Sequence, residues 1–344
     1  MAEYISFQPT DFFNTVLYTG TGAEQTISGV GFEPGLTWCK DRTNSYDQVW
    51  YDAARGATKR ITSNTTGAES DQAQGLKSWN SDGFVVGTGS NINNNTNNFV
   101  SWNWKAGTTS VPSGGTITPS ACSFSATSGF GAYAYTGTAT NGTIAHGLGK
   151  VPGMIIVKQL SGTEAWRVYH QNINAEDYLV LNTTAEWVTE TANWNNTTAT
   201  STVFSIGTDT SVNSSGVTFI AYVFANIPGF LKCGKYLGNG NADGQFIYTG
   251  FRPAMIICKE ASAAGQNWEL NDNKRNPYNE AKNTLRPNSS DAENTTNNTC
   301  DLLSNGFKLR TSNDATNKNG ATFIYAAFAE FPIVSSNDVP VVAR

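Results

Sequence analysis

Short apolar runs alternate with polar turns along the whole chain, and helical spacing of apolar residues is scarce. The runs are rich in Val, Ile, Thr, Phe and Tyr. Gly, Asn, Asp and Pro break them at roughly 8–12 residue spacing, the pattern of short strands joined by turns. Residues 218–224 (TFIAYVF) and 322–328 (TFIYAAF) are almost continuously apolar, as expected of strands covered on both faces. Asn213–Gly216 and Asn317–Gly320 stand just before them and read as hairpin turns that tolerate positive φ. Only Asp52–Ile61 suggests a helical turn or two.

The pattern repeats three times. Each copy opens with Tyr and then Gly two residues on: Tyr18 and Gly20, Tyr135 and Gly137, Tyr236 and Gly238. A proline follows (Pro34, Pro152, Pro253), with a lysine six residues after it (Lys40, Lys158, Lys259) and an apolar run between. A tryptophan comes next (Trp50, Trp166, Trp268), then an Asn-Thr-Thr or Asn-Ser-Ser triplet at Asn64, Asn182 and Asn288. Each copy closes on a strand with rings five apart: Phe99 and Trp104, Phe219 and Phe224, Phe323 and Phe328. Internal periods of this kind define architecture before any single motif does. About a hundred residues of short strands fit one sandwich. The expected fold is all-β, three tandem antiparallel β-sandwich (jelly-roll-like) repeats: 1–107, 121–230 and 231–332, with a linker at 108–120 and a C-terminal tail at 333–344.

Composition narrows the function. Asn, Thr and Ser make up 107 of the 344 residues, while charged residues are only 14%, so uncharged amides and hydroxyls form the polar surface. A net charge of −5 argues against a duplex nucleic-acid partner, which needs a basic face. No run approaches the ~18 apolar residues of a membrane span. The start, MAEYISFQPTDFF, lacks the basic and apolar regions of a secretory signal.

The motif series Tyr18–Thr21, Phe32–Arg42, Asp52–Gly56, Asn64–Thr66, Asp82–Phe84 and Trp102–Gly107 resembles a repeat domain of uncharacterised function found in virion proteins of marine bacteriophages, often labelled tail-fibre-like. The third copy resembles it through Phe251–Pro253, Asn288–Glu293 and Asn305–Phe307, and the second departs most, lacking Asp-x2-Arg-Gly and Asp-Gly-Phe. The resemblance implies a virion protein made in a bacterial cytoplasm. It serves as a tail-fibre or tail-tip adhesin, or as capsid-surface decoration or a head fibre. Expected partners are other virion proteins, further copies of the chain (a trimer among the options) and host-surface polysaccharide. The competing reading is a polysaccharide depolymerase.

Candidate chemistry is sparse. Cys39 and Cys258 align with Val157, the sign of a small buried apolar position. Cys122, Cys233 and Cys300 show no metal or redox spacing. His146 and His170 have no counterparts in the other copies, and nothing marks a catalytic triad. Asp47, Asp52, Glu69, Asp82, Asp272, Asp291 and Glu293 could supply an acid pair. The upstream Arg55 and Arg275 favour ion pairs instead. The loops Asn91–Asn98, Ser211–Ser215 and Asn313–Asn319 hold oxygen donors for calcium but few carboxylates, and Gly238–Gly244 lacks the Lys of a phosphate loop. No cofactor or metal is expected. Trp79, Trp187 and Trp194 fall outside the repeated aromatic positions, and exposed rings beside amides suit glycan stacking. In the tail, Ile333, Val334, Val339, Val341 and Val342 suit strand addition on a neighbour.

Overall fold

A computed structural model of the chain describes residues 5–296, 299–331, 333–334 and 340–341. It is an all-β protein of antiparallel sheets. The first third holds β1 (Phe13–Thr19), β2 (Gln25–Ile27), β3 (Pro34–Asp41), β4 (Val49–Asp52) and β5 (Lys59–Thr62). After these come β6 (Ser70–Asp71), β7 (Leu76–Asn80), β8 (Gly83–Val86) and β9 (Asn98–Lys105). The middle third holds β10 (Ala121–Ser125), β11 (Phe130–Thr136), β12 (Gly142–Ala145), β13 (Pro152–Gln159) and β14 (Arg167–His170). It continues with β15 (Asp177–Val180), β16 (Val188–Thr189), β17 (Val203–Ile206) and β18 (Thr218–Ala225). The last third holds β19 (Leu231–Leu237), β20 (Phe246–Tyr248), β21 (Arg252–Glu260) and β22 (Trp268–Asp272). It ends with β23 (Cys300–Leu303), β24 (Gly306–Leu309) and β25 (Thr322–Phe331).

One strand order recurs. The principal sheets read β1-β9-β3-β4, β11-β18-β13-β14 and β19-β25-β21-β22, and a small second sheet pairs β2 with β8, β12 with β17 and β20 with β24. Pro34 and Pro152 open β3 and β13, and Pro253 is the second residue of β21. From each proline onward the strand is buried, as continuous apolar runs require.

Ring residues five apart explain this double burial. An odd spacing along a strand sends two side chains to opposite faces. Phe99, Phe219 and Phe323 face outward within each sandwich and stack on Tyr18, Tyr135 and Tyr236 at 5.2, 5.3 and 5.0 Å between centroids. Trp104, Phe224 and Phe328 face inward and meet one another: 5.9 Å, 5.4 Å and 5.8 Å separate the three pairs of rings. The three principal sheets thus pack around a pseudo-threefold axis, and one apolar core draws residues from all of them.

The opening Tyr-x-Gly motif has a local cause. Tyr18, Tyr135 and Tyr236 donate their hydroxyls to Ile92 O (2.7 Å), Val212 O (2.6 Å) and Thr316 O (2.8 Å). A Cβ on Gly20, Gly137 or Gly238 would lie 2.0–2.2 Å from the carbonyl oxygen of Asn94, Ser214 or Lys318, so no side chain fits. The expected turns at Asn213–Gly216 and Asn317–Gly320 are turns with positive φ at Gly216 (74°) and Gly320 (75°), but they join strands of different sheets rather than hairpin partners. One-turn helices lead into them at Thr210–Asn213 and Asp314–Asn317, with Ser90–Asn93 in the first third. In the segment Asp52–Ile61, Asp52 ends β4, residues 53–58 form a non-helical turn and Lys59–Ile61 belong to β5. Residues 108–120 are not free of the body: Thr108 bridges Phe124 and Ile117 bridges Ile144.

In the tail, Ile333–Val334 pairs with Pro340–Val341 as a two-stranded ladder within the chain. Val339 and Val342, named with them as assembly residues, lie outside the described residues.

Candidate functional site

The polar chemistry of the molecule concentrates where the three sheets meet. Asn64, Asn182 and Asn288 accept from the backbone N–H of Gln48, Trp166 and Trp268 at 2.9, 2.9 and 3.0 Å. The side chains at those positions then reach the neighbouring third. Trp166 Nε1 donates to Thr62 O (3.1 Å), Trp268 Nε1 to Val180 O (3.0 Å), and Gln48 Nε2 to Arg286 O. Each acceptor lies two residues before a repeat Asn, so the contacts run from first to third, second to first and third to second, closing a ring. This register corrects the sequence alignment: Gln48, not Trp50, is the counterpart of Trp166 and Trp268. Trp50 sits two residues on, buried against Trp38, Trp166 and Tyr222.

Asp52, Glu69, Asp272 and Glu293 lie at the same junctions. Arg55 Nε donates to Asp52 at 2.6 Å and its terminal nitrogen to Glu69 at 3.0 Å. Arg275 holds Asp272 and Glu293 at 2.6 and 3.0 Å. Tyr222 OH donates to Asp52 (2.6 Å) and Trp102 Nε1 to Asp272 (3.0 Å), each from the next sheet of the ring. Glu293 also accepts a two-pronged contact from Arg42, 2.9 and 2.8 Å. Paired, charge-assisted hydrogen bonds offset the cost of burying such charges. Asp47 accepts from Asn64, Asp82 from Gly29 and Gly31, and Asp291 lies 3.7 Å from Arg286.

In the middle third His170 occupies the Asp position and Ile173 the Arg position. Its Nδ1 accepts from Asn172 N (3.3 Å), so Nε2 carries the proton and donates to Tyr325 O at 3.1 Å. Burial pushes its pKa down to about 4, against a raising effect of that backbone contact. His146 is likewise lowered by burial, and its Nε2 faces Thr200 O at 3.1 Å.

Lys40, Lys158 and Lys259 are fully buried and cap the turns after their strands. Lys40 donates to Asp41 O (2.6 Å) and Asn44 O (3.3 Å), Lys158 to Gln159 O (2.6 Å) and Gly162 O (3.3 Å), and Lys259 to Glu260 O. Burial lowers each ammonium to about 8, opposed mainly by nearby acids. All five cysteines are buried and free. Among the described residues no group of His, Cys, Asp and Glu could hold a metal ion. The Asn-rich loops turn their amides on themselves. Asn213 Oδ1 accepts from Thr138 N (2.7 Å) while Nδ2 donates to Thr140 O (2.7 Å) and Gly207 O (2.6 Å). Asn93 and Asn317 accept and donate in the same way.

The tryptophans singled out for glycan stacking are placed otherwise. Trp194 is buried, 1% exposed, with its ring edge-on to Tyr169 at 5.8 Å, and cannot present a platform. The polar sequence around it conceals a one-turn helix, Thr191–Trp194, whose last residue enters the core. Trp79 is half-buried and donates Nε1 to Thr37 at 3.1 Å. Trp187 packs half-buried on the shared core, and its backbone N–H donates to Ala261 O, a contact between middle and last thirds. The residues that sequence reasoning missed are Phe246 and Tyr248, 43% and 57% exposed on β20, both lining a cavity of about 450 Å³.

The family model described as a domain of unknown function (DUF7483) matches residues 8–332, all three sheets as one unit. No curated protein and no solved structure matches the chain.

Proposed function

We propose that this chain, which belongs to the DUF7483 family, is a non-enzymatic structural protein of a bacteriophage particle, acting as a tail-fibre or tail-tip adhesin or as surface decoration of the capsid. The resemblance of its motif series to repeat domains of phage virion proteins supports this reading. The observation that carries the non-enzymatic, scaffolding part is the closed ring. The acids that sequence reasoning offered as a catalytic pair, Asp52, Glu69, Asp272 and Glu293, are instead paired with Arg55 and Arg275 within their own thirds, while Arg42, Tyr222 and Trp102 tie Glu293, Asp52 and Asp272 to the neighbouring sheet. A single chain already provides threefold packing, so contacts with further copies or other virion proteins use outer surfaces and loops. Attachment to host-surface polysaccharide is the role such outer surfaces serve.

Antibody raised against the purified chain should label intact particles in immunogold electron microscopy at one location, tail or capsid. Incubation with the host's envelope polysaccharide should release no reducing ends. Unlabelled particles would overturn the virion assignment, and released ends would replace it with the depolymerase.

A further inference from the structure

The three copies differ along the edge strand β19 and the neighbouring β20. Aligned through the strand pairings, Lys232, Lys235, Phe246 and Tyr248 of the last third correspond to Asn14, Leu17, Thr26 and Ser28 in the first and to Gly131, Ala134, Thr143 and Ala145 in the middle. Two cations and two exposed rings thus replace small or uncharged residues at four neighbouring positions. In the middle third β10 covers β11, whereas among the described residues β19 has no such strand beyond it.

These residues border two adjoining cavities at the junction of the middle and last thirds. One, about 410 Å³, is lined by Gln171, Asn226, Leu231, Lys232, Tyr248 and Phe251 among others. The other, about 450 Å³, shares Lys232 and Tyr248 and adds Asn172, Lys235, Gln245 and Phe246. Among the described residues no Asp or Glu lines either cavity. Lys232 Nζ donates to Tyr248 O at 2.8 Å and lies 5.2 Å from the Tyr248 ring centroid, which fixes cation and ring together. Asn172 Oδ1 is buried without a hydrogen-bond partner.

We propose that this groove binds an oligosaccharide bearing carboxylate groups. Tyr248 and Phe246 stack on the apolar C–H faces of successive pyranose rings, and Lys232 and Lys235 pair with the carboxylates. Aromatic faces carry negative charge density that attracts polarised C–H groups. A groove lined by one sign of charge concentrates ligands of the other sign. Concavity, apolar lining and a few placed polar groups are the general form of a ligand site, and clustered exposed rings mark interaction surfaces. Asn172 Oδ1 is the acceptor for a sugar hydroxyl.

The inference names the ligand class for the attachment role above and rests on that reading, yet its test uses the isolated full chain and no particle. Isothermal titration with tetragalacturonate should show saturable binding that weakens as salt rises, with neutral maltotetraose binding at least about tenfold more weakly. Tyr248→Ala should weaken tetragalacturonate binding by roughly tenfold or more, and Lys235→Gln, at an exposed site, should weaken it and flatten the salt dependence. Tyr278→Ala, at an exposed ring outside the groove, should leave binding unchanged. Absence of binding at millimolar ligand, equal binding of the neutral sugar, or unchanged binding in Tyr248→Ala would overturn the assignment. Immunogold labelling is unaffected by any of these results, so failure of the site and failure of the virion reading remain separate.

Discussion

His170 shows how one position decides the character of a junction. Its counterparts Asp52 and Asp272 each have an arginine three residues on and an aromatic donor from the next sheet, Tyr222 or Trp102. At the third junction Ile173 replaces the arginine and Ala326 replaces the aromatic donor, so a neutral imidazole facing a backbone carbonyl is what the site can accommodate. His170→Asp should therefore bury an unpaired carboxylate and cost about 3–5 kcal/mol, read as a lowered denaturant midpoint. A midpoint equal to wild type would refute this account. The native pKa of about 4 lies below the ordinary value near 6.5, so the unfolded chain binds the proton first as pH falls. Stability from this group is complete above about pH 6.5 and declines from there towards pH 4. A His170→Gln variant should lose part of that acid sensitivity in thermal melts between those limits.

At the scale of elements, the loop before each closing strand is held by one asparagine rather than by turn propensity. Asn213 satisfies one backbone N–H and two carbonyls across loops that are distant in sequence. Asn213→Ala should leave these groups without partners at roughly 1–3 kcal/mol each where buried, a loss of at least about 2 kcal/mol in chemical denaturation. Thr140→Ala, which keeps the backbone acceptor, should stay within about 0.5 kcal/mol of wild type. Comparable losses in the two variants would mean that the staple is not what orders the loop. The Asn-rich loops looked like cation ligands because oxygen donors can serve either purpose. Which they serve depends on whether backbone groups lie within reach, and chain folding sets that.

At the scale of the molecule, three sandwiches that read as tandem units share one aromatic centre. Phe224→Ala should remove contacts to Trp104 and Phe328 at once and cost about 3–5 kcal/mol. Calorimetry should show a single transition for wild type and variant, the variant's shifted as a whole. Separate transitions, with only the middle one displaced, would show that the sheets fold independently and that the shared core is incidental.

Strand identity, the opening Tyr-x-Gly, the buried strand after each proline and the buried Cys39 and Cys258 were all legible in the residue pattern. Each follows from local rules: alternation along a strand, glycine where backbones touch, and Val exchanging with Cys at an apolar site. The meeting of Trp104, Phe224 and Phe328, the equivalence of Gln48 with the two tryptophans, the burial of Trp194 and the groove at Phe246 and Tyr248 were decided only by tertiary structure. Linear spacing records which face of a strand a side chain takes. It does not record which distant sheet covers that face, because the closing contacts lie about a hundred residues apart and depend on how three sheets fit around one axis.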